Sequence, residues 1–328
     1  MIEDLYYNKN FHLNEAIDFV FSSDNPVHQG LIISKLNENM YDPELIDEFR
    51  KYIKKKSKKI KPFYNSLDTC GTGGDGKKTL NISTTVALLL ASIGIKISKH
   101  GNRAASSLSG SSDILNELGI KMEFRENKII GNLKKNNFTY LNAPNFYPIL
   151  KNVAETRKLL GFKTFFNMIG PTLNPLQTKY QVVGTFDKKS CKAIAEILLK
   201  NKLRNFKVFT SDDGLDEISI FSNTTMWEKT TNNQIKRKKI DHHKFRRYLS
   251  QKNLSFDDIK GKEPKYNAKK LINLFEGKKN NYRDMVIINA IYGVLTIDQN
   301  KKFDEAYEIL VSSIDSKQSL DHLNKICS

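Results

Sequence analysis

Strand-like segments alternate with helical stretches from residue 65 onward, and this alternation constrains the fold more than any other feature of the chain. Strands that are separated by helices pair in parallel, because each helix carries the chain back across one face of the sheet. The sequence therefore predicts an α/β fold with a mainly parallel central sheet. The strand-like segments are residues 66–70, 95–98, 180–186 and 207–210, and helical segments begin near residues 83, 111, 190 and 267.

The N-terminal part of the chain has helical spacing of its apolar residues and no strand signal. Asp42 followed by Pro43 indicates a helix start, since Asp caps a helix and Pro fits the first helical position. We therefore predict a small helical domain over residues 1–64, joined by helices from about residues 146–176. Residues 65–328 are predicted to form the large α/β domain.

The chain of 328 residues has 53 Lys and Arg against 36 Asp and Glu, a net charge of +17 that is compatible with nucleic-acid binding. The basic residues are spread along the chain. Dense clusters at residues 51–61 and 236–239 do not alternate with aromatic residues, as a base-stacking surface requires. We therefore interpret the charge as solvated surface and expect no specific nucleic-acid partner.

The cellular location and the redox state of the cysteines can be predicted from the apolar runs, the N-terminus and the cysteine spacing. Its apolar runs are far shorter than the roughly 20 residues of a membrane span, and the acidic N-terminus does not resemble a secretory signal. We expect a cytoplasmic protein without a membrane partner. Cys70, Cys191 and Cys327 lie far apart, which predicts reduced thiols, and adjacent His242 and His243 are interpreted as solvated surface.

The densest local signal is the sequence GTGGDG at residues 71–76, directly after the first strand-like segment. Its four glycines expose backbone amides, and a helix is predicted to begin near Asn81. Exposed amides and the positive end of a helix dipole together bind anions. Asp75 and the hydroxyl groups of Thr79 and Ser83 add ligand-type side chains. We therefore predict a phosphate or pyrophosphate site.

Two known nucleotide motifs match this loop only formally. The loop fits GxGxxG, but the strand that should supply an acidic residue about 20 positions later leads into Lys99 and His100. Gly71, Gly76 and Lys77 fit most of GxxxxGK[ST], but Lys78 stands where magnesium needs a hydroxyl group. Neither a dinucleotide site nor a P-loop is predicted.

A second polar segment, KHGNRAASSLSGS at residues 99–111, follows the next strand-like segment. Lys99 and Arg103 are cations, and Ser106 and Ser111 offer hydroxyl groups. Ligands of open α/β sheets bind beyond the carboxyl ends of the strands, where both loops are expected.

A third segment, DDGLDEIS at residues 212–219, also follows a strand-like run. Adjacent Asp216 and Glu217 suit magnesium, which takes one or two carboxylates and completes its shell with water and substrate phosphates. An acidic surface turn is the alternative for this fragment alone. The phosphate loops upstream favour the metal site.

These motifs resemble those of the anthranilate phosphoribosyltransferase family, in the family's order and spacing. The matching segments are DTCGTGGDG with TLNIST, KHGNRAASS, RKLLGFKTFFNMIGPTLNP, QVVGTFD and GLDEIS. The resemblance implies transfer of phosphoribose from 5-phosphoribosyl 1-pyrophosphate to anthranilate, an early step of tryptophan biosynthesis. It also implies magnesium as cofactor and a homodimer formed through the helical domain. The related pyrimidine nucleoside phosphorylases share the fold but have K-x-SGR in place of KHGNR.

The resemblance also assigns binding positions, residue by residue. Gly71, Asn102 and Arg157 match contacts to anthranilate, and Ser83, Asp216 and Glu217 match magnesium ligands. Positions that match contacts to phosphoribosyl pyrophosphate are Gly71, Gly74, Asp75, Thr79, Asn81, Ile82, Ser83, Thr84, Lys99, His100, Gly101, Asn102, Arg103, Ala104, Ala105, Ser106, Ser107 and Ser111. Three positions depart from the family pattern: Asn142 replaces a usual Phe, Tyr147 replaces a usual His, and Leu108 stands where many members have a basic residue.

No Ser or Cys stands in a nucleophilic arrangement with a base and an orienting residue, so direct displacement at the ribose carbon is expected. We assign no general acid, base or nucleophile, because an aromatic amine is already neutral at pH 7. Two alternatives stay open from the sequence: a pyrimidine-nucleoside-phosphorylase-like enzyme, and a nucleic-acid-binding paralogue that is favoured only by the +17 charge.

Overall fold

The computed structural model describes residue 7 and residues 12–73, 76–102 and 109–327 of the chain. Its N-terminal part is helical, with α1 (Leu13–Ser22), α2 (Pro26–Asn37) and α3 (Pro43–Lys55). The start predicted for α3 is confirmed: the Asp42 carboxylate accepts a hydrogen bond from the Glu44 backbone N–H at 2.9 Å, and Pro43 is the first helical residue.

The centre of the molecule is a seven-stranded sheet with the strand order β3-β2-β1-β4-β5-β6-β7. The first five strands pair in parallel, and β6 and β7 extend the β5 edge in antiparallel pairing. The predicted α/β fold with a mainly parallel sheet is therefore confirmed. The strands are β1 (Leu67–Gly71), β2 (Ile97–Gly101), β3 (Phe138–Asn142), β4 (Tyr180–Gly184), β5 (Asn205–Ser211), β6 (Thr224–Lys229) and β7 (Ile235–Ile240).

Helices cover both faces of this sheet. Those between strands are α4 (Ile82–Ser92), α5 (Ser111–Glu117), α6 (Glu126–Asn136), α7 (Ala143–Phe146), α8 (Ala154–Leu160), α9 (Phe166–Ile169) and α10 (Lys188–Lys200). The C-terminal helices are α11 (Pro264–Phe275), α12 (Asn281–Ile297), α13 (Phe303–Asp315) and α14 (Gln318–Cys327). Short 3₁₀ turns occupy Pro148–Val153, Gly170–Thr172, His242–Tyr248 and Phe256–Ile259.

Two hydrophobic clusters divide the core. One buries α4 between the sheet and α12, which is why α4 is apolar on nearly all sides. The other joins the N-terminal helices to α6, α9 and α10. Its centre is aromatic: the ring centroids of Phe49 and Phe165 are 4.6 Å apart, and those of Phe165 and Phe166 are 4.7 Å apart.

Polar contacts also connect the N-terminal helices to the rest of the fold. The Tyr41 hydroxyl donates to Asp187 Oδ2 at 2.6 Å, and Lys200 forms an ion pair with Glu44 at 2.7 Å. The domain boundary after residue 64 stays a prediction. Of the helices in the described ranges, none combines the length and the apolar composition that crossing a membrane would demand.

Candidate active site

The sheet topology creates a crevice at the ends of two neighbouring strands. From β1 the chain proceeds to β2 on one side, while β4 pairs on the other side, so the strand order reverses between β1 and β4. Ligands of open α/β sheets bind at this switch point, outside the carboxyl ends of the strands. Gly71 ends β1 and pairs in register with Gly184, which ends β4. The glycine-rich loop therefore begins at the switch point.

The acidic loop that follows β5 reaches this same point. A Cβ atom added to Gly71 would lie 2.8 Å from Asp216 Oδ2. At Gly184 an added Cβ would lie only 1.6 Å from the Asp216 carbonyl oxygen, which no real side chain could tolerate. These close approaches place the Asp216 carboxylate directly beside the first glycine of the loop.

Glu217 is buried beside Asp216, with only 8% of its surface exposed. The loop is held from several directions: Ser211 Oγ donates to the Glu217 carbonyl at 2.6 Å, and the Ile218 backbone N–H donates to Asn289 Oδ1 at 2.9 Å. The Asp213 carboxylate accepts from Ser219 Oγ at 2.6 Å. Such an ordered, partly buried loop differs from a solvated acidic turn, the alternative that the sequence left open.

Lys99 connects the end of β2 to the start of α4. Its ammonium group is fully buried and donates to the Thr69 carbonyl oxygen and to Ser83 Oγ, the latter at 3.3 Å. Burial lowers the pKa of Lys99, while the negative charges of Asp68 and the Asp216–Glu217 pair act in the opposite direction. The structure therefore groups Ser83, Lys99 and the two acidic residues around one crevice.

The start of α4 is connected to the second polar segment. Asn81 precedes α4 as predicted, but its side chain does not cap the helix, and Asn81 Nδ2 donates instead to the Ser109 carbonyl at 3.0 Å. Thr84 Oγ1 donates to Ser111 Oγ at 3.2 Å. Both loops are therefore brought together, as expected for loops that follow adjacent parallel strands.

Two buried polar atoms near the crevice lack a hydrogen-bond partner among the described residues. They are Thr72 Oγ1 in the glycine loop and Nε2 of the His100 ring. Burial lowers the pKa of His100 to about 4, so its imidazole is neutral at pH 7. Because buried polar atoms are normally paired, these two suit contacts to a bound ligand.

Tyr147 fills the space beside His100. The two rings meet edge to face, with centroids 5.8 Å apart. The buried Tyr147 hydroxyl donates to the Leu173 carbonyl oxygen. The phenol that departs from the family pattern is therefore fixed by the segment after α9, and it packs against a residue predicted to contact phosphoribosyl pyrophosphate.

Arg157 lies in the helical segment between β3 and β4. It belongs to α8, and its guanidinium carbon is 5.2 Å from the centroid of the Phe166 ring. Burial lowers its pKa. Gly71 ends β1 and Asn102 follows the end of β2, whereas Arg157 lies on α8, so the three predicted anthranilate contacts come from three different elements.

Part of the predicted phosphate site cannot be placed. Gly74, Asp75, Arg103, Ala104, Ala105, Ser106 and Ser107 lie outside the described residues. The other predicted positions are described at the ends of β1 and β2 and around the starts of α4 and α5: Gly71, Thr79, Asn81, Ile82, Ser83, Thr84, Lys99, His100, Gly101, Asn102 and Ser111.

Two residues that contact this site were missed by sequence reasoning. Asp68 in β1 is buried and accepts a hydrogen bond from the His100 backbone N–H at 3.0 Å, and burial raises its pKa to about 6. A carboxylate inside a strand-like segment was a usable signal. Asn267 Nδ2 donates to Asn81 Oδ1 at 2.9 Å. Nothing in the lysine-rich sequence around Asn267 indicates that contact.

Comparison with known proteins agrees with this geometry. Residues 64–319 match the model of the glycosyl transferase family, a/b domain. Anthranilate phosphoribosyltransferase of Pelagibacter ubique is 39% identical over 84% of this chain and 81% of its own length. The enzyme of Methanosarcina barkeri is 36% identical over 95% of this chain and 84% of its own length. The chain belongs to the anthranilate phosphoribosyltransferase family. The family inferred from the motifs is thereby confirmed.

Solved structures of the family have the same fold. Anthranilate phosphoribosyltransferase from Thermus thermophilus superposes with a TM-score of 0.86 at 25% identity, over 99% of this chain and 98% of the other. The Saccharomyces cerevisiae enzyme, in complex with phosphoribosyl pyrophosphate and magnesium, superposes with a TM-score of 0.83 at 24% identity. That match covers 99% of this chain and 92% of the yeast chain.

Proposed function

We propose that this protein transfers phosphoribose from phosphoribosyl pyrophosphate to anthranilate, giving N-(5-phosphoribosyl)anthranilate and pyrophosphate. The observation that carries the proposal is the position of Asp216 beside Gly71 at the switch point between β1 and β4. The glycine loop attracts an anion, but the Asp216 carboxylate beside it would repel the same anion unless a cation lies between them. A pyrophosphate group bound together with a divalent metal satisfies both.

The donor set fits magnesium. Ser83, Asp216 and Glu217 offer only oxygen atoms, which are the ligands of this hard cation, and the ordered acidic loop holds its carboxylates at the crevice. When bound, magnesium neutralises negative charge that develops on the departing pyrophosphate. We therefore propose these residues as the ones that hold the metal.

The chain's own groups would bind and orient the donor substrate. The N-terminus of α4 has a partial positive charge, and in this proposal the backbone amides of the glycine loop add to it. Lys99 adds a buried cation beside Ser83. Such preorganised positive charge stabilises a leaving pyrophosphate without rearrangement during the reaction.

The protonation state of the Cys70 thiol favours direct displacement over a covalent intermediate. Cys70 in β1 is buried, and burial raises its pKa well above the ordinary value for a thiol. A protonated thiol is a poor nucleophile, because the thiolate is the reactive form. We therefore propose that the amine of anthranilate itself attacks the ribose carbon as the bond from that carbon to pyrophosphate breaks. Because the amine is already neutral at pH 7, no base is needed before the attack, and the proton that the nitrogen loses afterwards passes to pyrophosphate or water.

The acceptor would bind between the helical side of the molecule and the sheet edge. In this proposal Arg157 pairs with the anthranilate carboxylate, and Asn102 orients the amine toward the ribose carbon. His100 is neutral and presents an unpartnered Nε2 in the same region. Tyr147, which packs against His100, shapes the wall of this pocket.

We also propose that the protein is a cytoplasmic homodimer that pairs through its N-terminal helices. Val27 and Leu31 lie one turn apart on α2 and are 68% and 42% exposed, so they form an apolar face suited to a second copy. Sedimentation equilibrium of the wild-type protein and of a Val27→Glu, Leu31→Glu variant tests this. A wild-type monomer would contradict it.

A fluorescence assay tests the proposed activity. Anthranilate fluorescence should decrease only when phosphoribosyl pyrophosphate and magnesium are both present, with one pyrophosphate released for each anthranilate consumed. Phosphorolysis of a pyrimidine nucleoside, measured in parallel with inorganic phosphate, distinguishes the related phosphorylases. Turnover of the nucleoside together with no loss of anthranilate would refute the proposal.

A further inference from the structure

A segment far downstream in the chain runs alongside the stretch that connects the glycine loop to α4. We call this segment, residues 259–267, the strap. The Leu80 backbone N–H donates to the Ile259 carbonyl at 2.8 Å, and the Gly261 N–H donates to the Lys78 carbonyl at 2.7 Å. Thr79 and Lys260 form an antiparallel bridge between these bonds. The strap therefore fixes the backbone of residues 78–80.

Gly261 permits the close approach of the two backbones. An added Cβ at this position would lie 2.3 Å from the Thr79 carbonyl oxygen and 2.6 Å from its carbon. Because these are backbone atoms of Thr79, a side chain at position 261 would fit only if the backbone of residues 78–80 moved. The spacing between the strap and the exit of the glycine loop is thus set at backbone level.

Asn267 extends this contact to a side chain of the predicted phosphate site. It lies in the first turn of α11 and is 1% exposed. Its Oδ1 accepts from the Lys262 backbone N–H at 2.8 Å, and its Nδ2 donates to Asn81 Oδ1 at 2.9 Å. One side chain therefore ties the strap to the residue that precedes α4.

The bond from Asn267 determines how Asn81 is oriented. With its Oδ1 directed at Asn267, Asn81 directs its Nδ2 at the Ser109 carbonyl, 3.0 Å away. Ser109 Oγ donates more weakly to the same Asn81 oxygen, at 3.3 Å. Asn81 thus connects the start of α4 to the end of the second loop, and Asn267 holds Asn81 in the orientation that makes this connection.

We propose that Asn267 is a positioning residue for the donor substrate, acting through Asn81 to hold the two phosphate-binding loops in register. This proposal rests on the proposed function, since it takes phosphoribosyl pyrophosphate as the ligand. Asn267 itself need not touch the substrate. Removing its side chain should weaken the binding of phosphoribosyl pyrophosphate and leave the binding of anthranilate nearly unaffected. Its two side-chain hydrogen bonds join the strap and Asn81, which belongs to the predicted phosphate site.

The test compares Asn267→Ala with Asn273→Ala, a matched control on the same helix. Dissociation constants for phosphoribosyl pyrophosphate come from calorimetry, and Michaelis constants are measured for each substrate. Loss of one buried hydrogen bond corresponds to about a tenfold effect. We expect Asn267→Ala to raise the dissociation constant about tenfold, with less than a twofold change in the Michaelis constant for anthranilate. Asn273→Ala should match the wild type.

A second variant separates positioning from folding. Asn267→Asp retains an acceptor for the Lys262 N–H but loses the donor to Asn81. Because a buried carboxylate also lowers stability, binding is measured well below the unfolding midpoint of this variant, at a temperature where circular dichroism shows it folded. Its affinity for phosphoribosyl pyrophosphate should nonetheless fall at least as far as that of Asn267→Ala. Normal affinity in both Asn267 variants would overturn the proposal.

A double-mutant cycle with Asn81→Ala tests the route of the effect. If Asn267 acts through Asn81, the double variant should bind phosphoribosyl pyrophosphate no more weakly than Asn81→Ala alone. If the two substitutions multiply each other's effect on the dissociation constant, Asn267 does not act through Asn81. Weakened binding by Asn81→Ala together with wild-type binding by the Asn267 variants refutes only the role of Asn267. Unchanged binding by Asn81→Ala would overturn the role of Asn81 in donor binding, whereas only a wild type that consumes no anthranilate refutes the proposed function itself.

Discussion

Replacing Gly71 with alanine would place a methyl group between the glycine loop and the acidic loop. The added Cβ would lie 2.8 Å from Asp216 Oδ2, and ordinary van der Waals contact begins at 3.4 Å. The nearest atom, Asp216 Oδ2, is at the end of a side chain, so the carboxylate can rotate away from the added methyl group. It must move by about 0.6 Å away from the added Cβ, and this carboxylate is one of the proposed magnesium ligands.

A shift of this size should change the unfolding free energy little but lower the catalytic rate strongly. Functional groups must be held within about 0.5 Å of their productive positions, and a misplacement of about 1 Å can cost about 100-fold in rate. We expect kcat/KM for Gly71→Ala to fall about 10- to 100-fold. Its unfolding free energy should change by no more than about 1 kcal/mol, because an alanine in a strand offsets part of the crowding.

Gly131→Ala is a matched control for this substitution. Gly131 lies exposed on α6, and an added Cβ there meets no atom of the described residues within 4 Å. The control should keep wild-type kcat/KM and gain about 0.5 to 1 kcal/mol of stability. Initial rates from anthranilate fluorescence and thermal unfolding by circular dichroism measure both quantities. Wild-type kcat/KM in Gly71→Ala would refute the functional importance of the contact with Asp216.

Three further changes have definite expected results. Asp216→Asn with Glu217→Gln should abolish most activity in a protein that circular dichroism still shows to be folded, and activity that survives would refute the metal assignment. Arg157→Ala should raise the Michaelis constant for anthranilate by roughly 10- to 150-fold and that for phosphoribosyl pyrophosphate much less; equal increases would contradict the acceptor contact. His100 has a folded-state pKa of about 4 against an ordinary 6.5, so its contribution to stability is present above pH 6.5 and is lost as the pH falls toward 4. Asp68, whose pKa is raised to about 6, contributes a slope of opposite sign between about pH 4 and 6. The His100 contribution is therefore measured as the unfolding free energy of the wild type minus that of His100→Asn, and this difference should fall by up to about 1.4 kcal/mol per pH unit from pH 6.5 toward 4.

The parallel strands and the helices around them could be predicted because their periodicity is local. β3, β6 and β7 were not predicted. The sequence IKRKKI of β7 reads as a basic surface cluster, because an edge strand that faces solvent has charged side chains instead of an apolar pattern. β2 begins at Ile97 and ends at Gly101, later than the predicted residues 95–98, because part of the polar motif belongs to the strand itself.

The loops of the site could be recognised from the sequence, but their mutual contacts could not. Glycines and adjacent acids have local signatures. In contrast, the approach of Asp216 to Gly71 depends on β5 lying beyond β4 in the sheet order. The bond from Asn267 to Asn81 depends on where α11 packs. Such contacts depend on tertiary structure, so no pattern within either segment encodes them.

The central claim is that the glycine loop and the acidic pair form one metal-dependent site for phosphoribosyl pyrophosphate. Calorimetric titration of the wild type and of the Asp216→Asn, Glu217→Gln variant, each with magnesium and with chelator, tests it most directly. The wild type should bind phosphoribosyl pyrophosphate much more tightly with magnesium than without. The variant should show little difference between the two conditions. An equal dependence on magnesium in both proteins would contradict the claim.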